Sequence, residues 1–580
     1  IISLLSSCIM TNDLVILGIN FGGHDTSACL MINGKIVAAC EEERFSKEKH
    51  TREFPTNSIN ECLRKAKITM DNVDEIGIDF DPVYRIKENY LKPALNDEKR
   101  LEFLFNDIER VKNDYNIEKT VREKTNFKGK FTTHLHHLCH LASCFYPSGF
   151  DNALLFSNDG MGEIETSLYG IGRDDEISIF HKGNRYPNSL GLLYSAITHY
   201  LGWKHHSDEG IIMGLASYGD DTHIVKNSNK SYKEFFKEII YETGDFDFEI
   251  DLSWIAYYHV RDKWISDKFL EVFGPQRQPE GSVIQHHKDV AAALQNRIEE
   301  IVLNQLKKVK EKFGLKKLCI AGGVGLNCSL NGKIIDSKLF EEIFVQPASG
   351  DSGAAIGVCF LSHKKLTNEK ISKKWHDSYL GSSFTNDEIK KELKEHGLDS
   401  KIVNNIYEKT AVALKNKKII GWFQGGAEFG PRALGNRSIL TSPFPKEMKD
   451  ILNSRVKFRE EFRPFAPAIL YEFTQEYFDI QQESPHMLIT AQVKPEKVDE
   501  IPAVVHVDNS ARVQTVKSEN NDRFRKLIEA FHKITNCPVI LNTSFNVKGQ
   551  PIVNSPKDAI ECFLGTNIDV LVIGDYYIEK

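Results

Sequence analysis

Two apolar runs that each break into glycine and small polar residues constrain this chain more than any other feature. Residues 317–327 read KLCIAGGVGLN, and residues 341–353 read EEIFVQPASGDSG. In each, a strand-like run ends where backbone lacking a Cβ lets a ligand approach closely, the usual position of ligands in open α/β sheets. Gly322 and Gly323 are the candidate nucleotide contacts of the first loop. Two such loops predict a nucleotide cleft between two α/β lobes.

The segments around them fit that frame. From Leu14 the chain reads LVILGIN, FGGHD, TSACLMI, an Asn33-Gly34 turn and KIVAACEEE, which predicts three meandering strands with a polar loop between the first two. A further strand, ALLFSND, ends at Asp159-Gly160, and Gln285–Phe313 carries a helical stripe of Val290, Leu294, Ile298, Ile301, Val302 and Val309. The lysine-rich stretch HKKLTNEKISKKW over 363–375 reads as a linker, dividing the chain into domains of 10–362 and 375–580. The second should be its own α/β unit, with strands near IIGWF, PVIL and VLVIG. No internal repeat is legible.

Composition narrows the function classes. With 41% hydrophobic and 27% charged residues, 580 residues make more than one core and no long disordered segment. A net charge of -7 gives no general pull towards nucleic acid. The apolar stretch at 1–10 is shorter than the roughly 20 residues a membrane span needs and lacks a basic start, so no membrane is expected and Met10 reads as the natural first residue. Eleven cysteines without a C-x-x-C pair suit reduced thiols in the cytoplasm. Oligomeric state is left open, a homodimer included.

Four clusters are candidates for chemistry. On a helix, His136 and His140 share a face about 6 Å apart, close enough for one metal ion, although a bare H-x-x-x-H is more often a pair of ordinary histidines. Asp351 in the second glycine-rich loop is the candidate third ligand, and two imidazoles with one carboxylate suit iron, zinc or manganese. Gly22 to Thr26 form a loop that is either a phosphate cradle, with His24 and Asp25 facing the cleft, or a plain turn. The strongest cluster lies in EFGPRALGNRSIL and RVKFREEFRPFAPAI between 428 and 469, with Arg432, Arg437, Arg455, Lys457, Arg459 and Arg463. If extended, the second stretch puts Arg455, Lys457 and Arg459 on one face, which calls for an anion, and guanidinium forks match phosphate oxygens. Asn542 and Ser544 in LNTSFN, at the end of the strand PVIL, stand where α/β sheets bind ligands.

Together these segments resemble the O-carbamoyltransferase family of nodulation protein U and cephem carbamoyltransferase, which also contains tobramycin carbamoyltransferase. The match runs through nearly the whole chain from Met10, on GPRALGNRSIL, EEFRPFAPAI, HVDNSARVQTV, LNTSFN, IAGGVGLN and EGIIMGLASYG. The resemblance implies an α/β fold throughout, with an N-terminal actin-like ATPase domain similar to the tRNA threonylcarbamoyl transferases (ASKHA) and a C-terminal YrdC-like domain. It implies that the C-terminal half makes carbamoyladenylate from carbamoyl phosphate and ATP with Mg2+, releasing pyrophosphate, and that the N-terminal half passes the carbamoyl group to a hydroxyl of a sugar or natural product. It also implies iron(II) held by His136, His140 and Asp351, with His24 touching the adenylate. Arg432, Lys457, Arg463, Arg512 and Ser544 match positions that bind phosphate or carbamoyl phosphate. Two positions depart from the family pattern, Ile211 and Gly426, each where a basic residue is usual. A metabolite kinase, which would release ADP, and a nucleotide-binding scaffold without turnover are the competing expectations.

Overall fold

The computed structural model describes residues 13–371, 377–398 and 401–580. The expected start at Met10 and part of the expected linker, 372–375, lie outside them. Strand β1 (Val15–Asn20) pairs antiparallel with β2 (Ser27–Ile32), and β2 with β3 (Lys35–Glu41), through the Asn33-Gly34 turn, where both residues take positive φ. Parallel to β1 run β4 (Glu75–Ile78) and β5 (Lys130–Thr133), so the sheet order is β3-β2-β1-β4-β5.

The next sheet repeats this plan. Strand β6 (Asn152–Asn158) pairs antiparallel with β7 (Ser167–Arg173), and β7 with β8 (Glu176–His181). A small ribbon of β9 (Ile240–Thr243) and β10 (Asp247–Ile250) intervenes, then β11 (Lys317–Ala321) and β12 (Glu342–Val345) add parallel to β6, giving β12-β11-β6-β7-β8. The duplication is the actin-like arrangement that the resemblance implies. It was invisible as a sequence repeat because strand order follows from apolar patterning and crossover handedness, which many unrelated residue strings satisfy.

Helices join the two sheets. The His136–Phe145 helix and the Ala354–Thr367 helix lie against each other, close enough that a Cβ on Gly357 would stand 1.9 Å from the Cys139 carbonyl oxygen. A Cβ on Gly18 of β1 would stand 2.2 Å from the Ala355 oxygen, so backbone contacts set the spacing of sheet and helix. The Ala354–Thr367 helix runs through His363, His363 itself being buried, so the first five residues of the expected linker are helix. The Gln285–Phe313 helix is as expected, and its predicted stripe is buried throughout.

The C-terminal unit is a mixed sheet. Strands β13 (Ile420–Phe423), β14 (Arg437–Thr441), β15 (Ala466–Leu470), β18 (Gln514–Val516), β19 (Val539–Ser544), β20 (Val570–Ile573) and β21 (Tyr576–Glu579) take the order β18-β15-β19-β14-β13-β20-β21. A two-stranded ribbon, β16 (Thr490–Gln492) with β17 (Ser510–Arg512), lies beside it. The sheet buries Trp422, Ile439, Ile540 and Leu571 completely. Among the described residues no helix is long and apolar enough to cross a membrane. The ten cysteines among them are free thiols, nine of them buried.

Candidate functional site

One cleft of about 1610 Å³ runs between the two units. On its N-terminal wall, the helix that starts at His136 presents two imidazoles to the ends of β6 and of the 350–353 loop. The Nε2 atoms of His136 and His140 are 3.0 Å apart, and Asp159 Oδ2 stands 2.8 Å from His140 and 3.4 Å from His136. Asp351 Oδ1 is 3.6 Å from His136 and 3.8 Å from His140. The four ligand atoms lie within 4.8 Å of one another, His140 being fully buried. Two nitrogens and two carboxylate oxygens, too close together to be comfortable as free groups, are a donor set that fits one borderline divalent cation. Asp79 Oδ2 takes His136 Nδ1 at 3.1 Å and orients that ring, as second-sphere carboxylates do at metal sites. Burial would lower the His136 pKa, but hydrogen bonds to Asp159, Asp351 and Asp79 outweigh it and hold it well above the ordinary value. Burial, then the charge of Asp159, raises Asp351 to about 6.

The Gly22–Thr26 loop brings a second group to the same wall. Asn20 ties the loop down by donating its amide to the carbonyls of His24 and Asp25, and Asp25 takes φ 49°. His24 Nδ1 stands 3.0 Å from Asp25 Oδ2, its Nε2 stands 2.6 Å from the His206 carbonyl oxygen, and His50 Nδ1 meets Asp25 Oδ1 at 2.6 Å. Both nitrogens of His24 therefore face acceptors, so both carry protons and the ring is an imidazolium. Burial opposes that charge, but Asp25 overrides it and raises the pKa to about 10. The same pairing with His24 and His50 carries Asp25 far below the carboxylate range against its own burial. The sign follows. Stability from the His24 charge is complete below its ordinary value of 6.5 and is lost as pH rises through about 10.

The opposite wall is cationic. Arg432, Lys457, Arg459, Arg463 and Arg512 all line the cleft. Glu428 accepts from the backbone N–H of Leu434 (2.7 Å), Asn436 (2.8 Å) and Arg437 (3.1 Å), which fixes the loop carrying Arg432. Lys457 is buried and donates to the Ser544 carbonyl, to Ser544 Oγ at 3.2 Å and to Asn546 Oδ1 at 2.9 Å. Arg459 donates to Asn453 Oδ1 and the Pro464 carbonyl, and Arg463 stands 3.6 Å from Glu460. Among the described residues, the Nε atoms of Arg432 and Arg512 are buried without a protein partner. Burial, and then the neighbouring guanidinium of Arg512, lowers Arg432 to about 9, and burial with Arg459 drives Lys457 well below its ordinary value. Five cations crowded against so little negative charge make a site built for a polyanion.

Residues 15–360 match the family described as Carbamoyltransferase N-terminus, and 411–580 match Carbamoyltransferase C-terminus. The chain belongs to the carbamoyltransferase family. It is 38% identical, over 97% of its length and 96% of the other, to an uncharacterized protein of Synechocystis sp.. It is 35% identical to Nodulation protein NolNO of Sinorhizobium fredii, over 96% of this chain and 79% of that one. A solved structure of HypF in its phosphate- and nucleotide-bound form overlays 61% of this chain and 56% of its own with a TM-score of 0.31 at 12% identity.

In this carbamoyltransferase not every expected residue reaches the cleft. Arg437 does not: it is fully buried on β14 over the Phe423 ring and donates to the carbonyls of Gln424, Asn436, Ser382 and Gly425. It is a structural cation, and Arg437→Ala should cost on the order of 3–5 kcal/mol in urea unfolding by stranding those oxygens. Asn542 is also fully buried, donating to the Ala433 carbonyl at 3.2 Å and to Gln514 at 2.7 Å; it positions the neighbour of Arg432 and does not meet the cavity. Gly322 packs on Asn158, where a Cβ would stand 2.2 Å from its carbonyl oxygen, while Gly323 lines the cleft. The expected extended face of Arg455, Lys457 and Arg459 is absent, because residues 453–457 form a π-helical turn. Arg455 points away to Asp569 at 2.7 Å, and Phe458 at φ 49° reverses the chain before Arg459.

The family departures also have places. Ile211 is buried on the Glu209–Ala216 helix at the cleft. Gly426 admits nothing larger with this backbone, since a Cβ would stand 2.4 Å from the Tyr379 oxygen. Sequence reasoning missed Asp159 as a fourth donor, although it directly follows a strand and precedes a glycine. It also missed His50, for which no local signal exists.

Proposed function

We propose that this carbamoyltransferase converts carbamoyl phosphate and ATP to carbamoyladenylate on the cationic wall and transfers the carbamoyl group to an acceptor hydroxyl on the histidine wall. The observation that carries the reading is that both walls line one continuous cleft, so a water-labile intermediate has a short route between them. In the first half, carbamoyl phosphate loses phosphate to water and the resulting carbamate oxygen attacks the α-phosphorus of ATP, expelling pyrophosphate. Arg432, Lys457, Arg459, Arg463 and Arg512 neutralise the phosphate oxygens that this brings together. ATP would enter with Mg2+.

In the second half, His24 is a fixed positive charge rather than a base, since neither of its nitrogens is free to accept a proton. It is suited to the phosphate of the departing AMP. His50 is held by Asp25 through Nδ1, and among the described residues its Nε2 has no protein partner, so it is the group placed to take the hydroxyl proton. His136, His140, Asp159 and Asp351 would hold a divalent cation, iron(II) being the family expectation, and such an ion would supply Lewis acidity at the carbonyl oxygen. The reading places the enzyme in the cytoplasm with small-molecule partners only.

Incubation of the purified protein with ATP, Mg2+ and carbamoyl phosphate should release pyrophosphate only when all are present. Release of ADP would replace the reading with a kinase. Transfer should hold near neutral pH and fall as pH approaches about 10, where His24 loses its charge. Asp25→Asn should move that fall to lower pH, and an unmoved profile would remove His24 from the transfer step.

A further inference from the structure

Beside the histidine wall, three more arginines reach the same cleft: Arg52, Arg85 and Arg110. They are placed by the chain that continues from Asp79, the carboxylate that orients His136, and by the loop after His50. Arg85 is 7% exposed, and its guanidinium is 5.6 Å from the centre of the Phe80 ring. Among the described residues its one ion pair is with Asp114, at 3.6 Å from Nε, too far for a hydrogen bond, and both Arg85 Nε and Asp114 Oδ2 are buried there without a hydrogen-bond partner. Among the described residues Arg52 and Arg110 make no ion pair or side-chain hydrogen bond. The charge of Arg85, then burial, with Arg52 adding to both, pushes Arg110 below the ordinary guanidinium value. Other cations nearby are already matched, Arg261 by Asp107 and Lys263 by Asp267.

Three guanidinium groups against one carboxylate leave two positive charges, the charge of a phosphomonoester dianion. A buried guanidinium such as that of Arg85, with no hydrogen bond at Nε and two unpaired arginines beside it, costs stability unless a ligand completes it. The donor phosphates have their own cluster on the opposite wall, so this one is left for the molecule that meets the histidine wall. We infer that Arg52, Arg85 and Arg110 bind a phosphate carried by the acceptor, making the carbamoylated hydroxyl part of a phosphorylated sugar or a similar phosphorylated metabolite. The word acceptor rests on the function proposed above, whereas the phosphate subsite does not.

Equilibrium dialysis of the full chain with radiolabelled inorganic phosphate tests it. Arg463→Ala protein, weakened on the donor wall, should still bind phosphate, and adding Arg110→Ala or Arg52→Ala should weaken that binding about tenfold or more. Arg52 is exposed and without partners, so its replacement does not threaten folding. Acetate should not displace the phosphate at equal concentration. Absent phosphate binding in Arg463→Ala protein, or binding unchanged by Arg52→Ala and Arg110→Ala, overturns the subsite. Equal competition by acetate overturns the phosphomonoester in favour of a carboxylate. Pyrophosphate release, measured separately on the wild type, distinguishes the two proposals: its absence sinks carbamoylation and leaves the phosphate result standing.

Discussion

Arg463→Ala is expected to lower carbamoyl-phosphate-dependent pyrophosphate release by about 10²–10³-fold, the scale on which removing one preorganised charge from a transition state acts. Among the described residues its side chain pairs only with Glu460, at 3.6 Å, with the charge of Asp208 farther off, and about a third of its surface is exposed, so its removal breaks no buried network. Melting temperature should scarcely move while the rate collapses. Arg455→Ala provides the control. It lies a few residues away and carries the same charge, but it faces Asp569, and its loss should leave the rate unchanged. Equal effects from the two would mean that general positive charge, and not a placed guanidinium, supports the reaction.

His140→Ala should give the reverse pattern, with pyrophosphate release retained, carbamoyl transfer reduced by about 10²-fold or more, and bound metal lost on dialysis. His140 is fully buried and meets Asp159 Oδ2 at 2.8 Å. Asp159→Asn keeps the shape and removes a charge, so it should lower metal content without unfolding the helix. Metal analysis of the protein before and after chelation supplies a readout independent of turnover. If Asp159→Asn retains full metal, the fourth donor is wrong. If His140→Ala stops pyrophosphate release, the division of labour between the walls is wrong.

Where periodicity or a strand-end glycine fixed backbone position, the residues could be read in advance. The β1–β3 meander, the Gln285–Phe313 helix and the pairing of His136 with His140 across one helical turn follow from local spacing. Asp351 could be named because its loop ends a strand. What local spacing does not encode is which cation turns inward. Arg437 and Lys457 have the same charge and both are buried donors to carbonyl oxygens, yet only Lys457 also borders the cleft. The π-helical turn at 453–457 decides the matter for Arg455 and Lys457, and such turns leave no periodic mark. His50 joined the site only through tertiary contact with Asp25.

The contact at Gly357 limits how the helix of His136 and His140 can move. Its two imidazoles ride on one rod whose height is fixed by main chain touching main chain, with no side chain between to cushion a shift. Repacking elsewhere in the core can be absorbed without moving either ring. A single methyl at 357 cannot: it would lift His136 and His140 as a pair away from Asp159, just past β6, and from Asp351, in the turn before the Ala354–Thr367 helix, and so respace the four donor groups from a position that touches none of them.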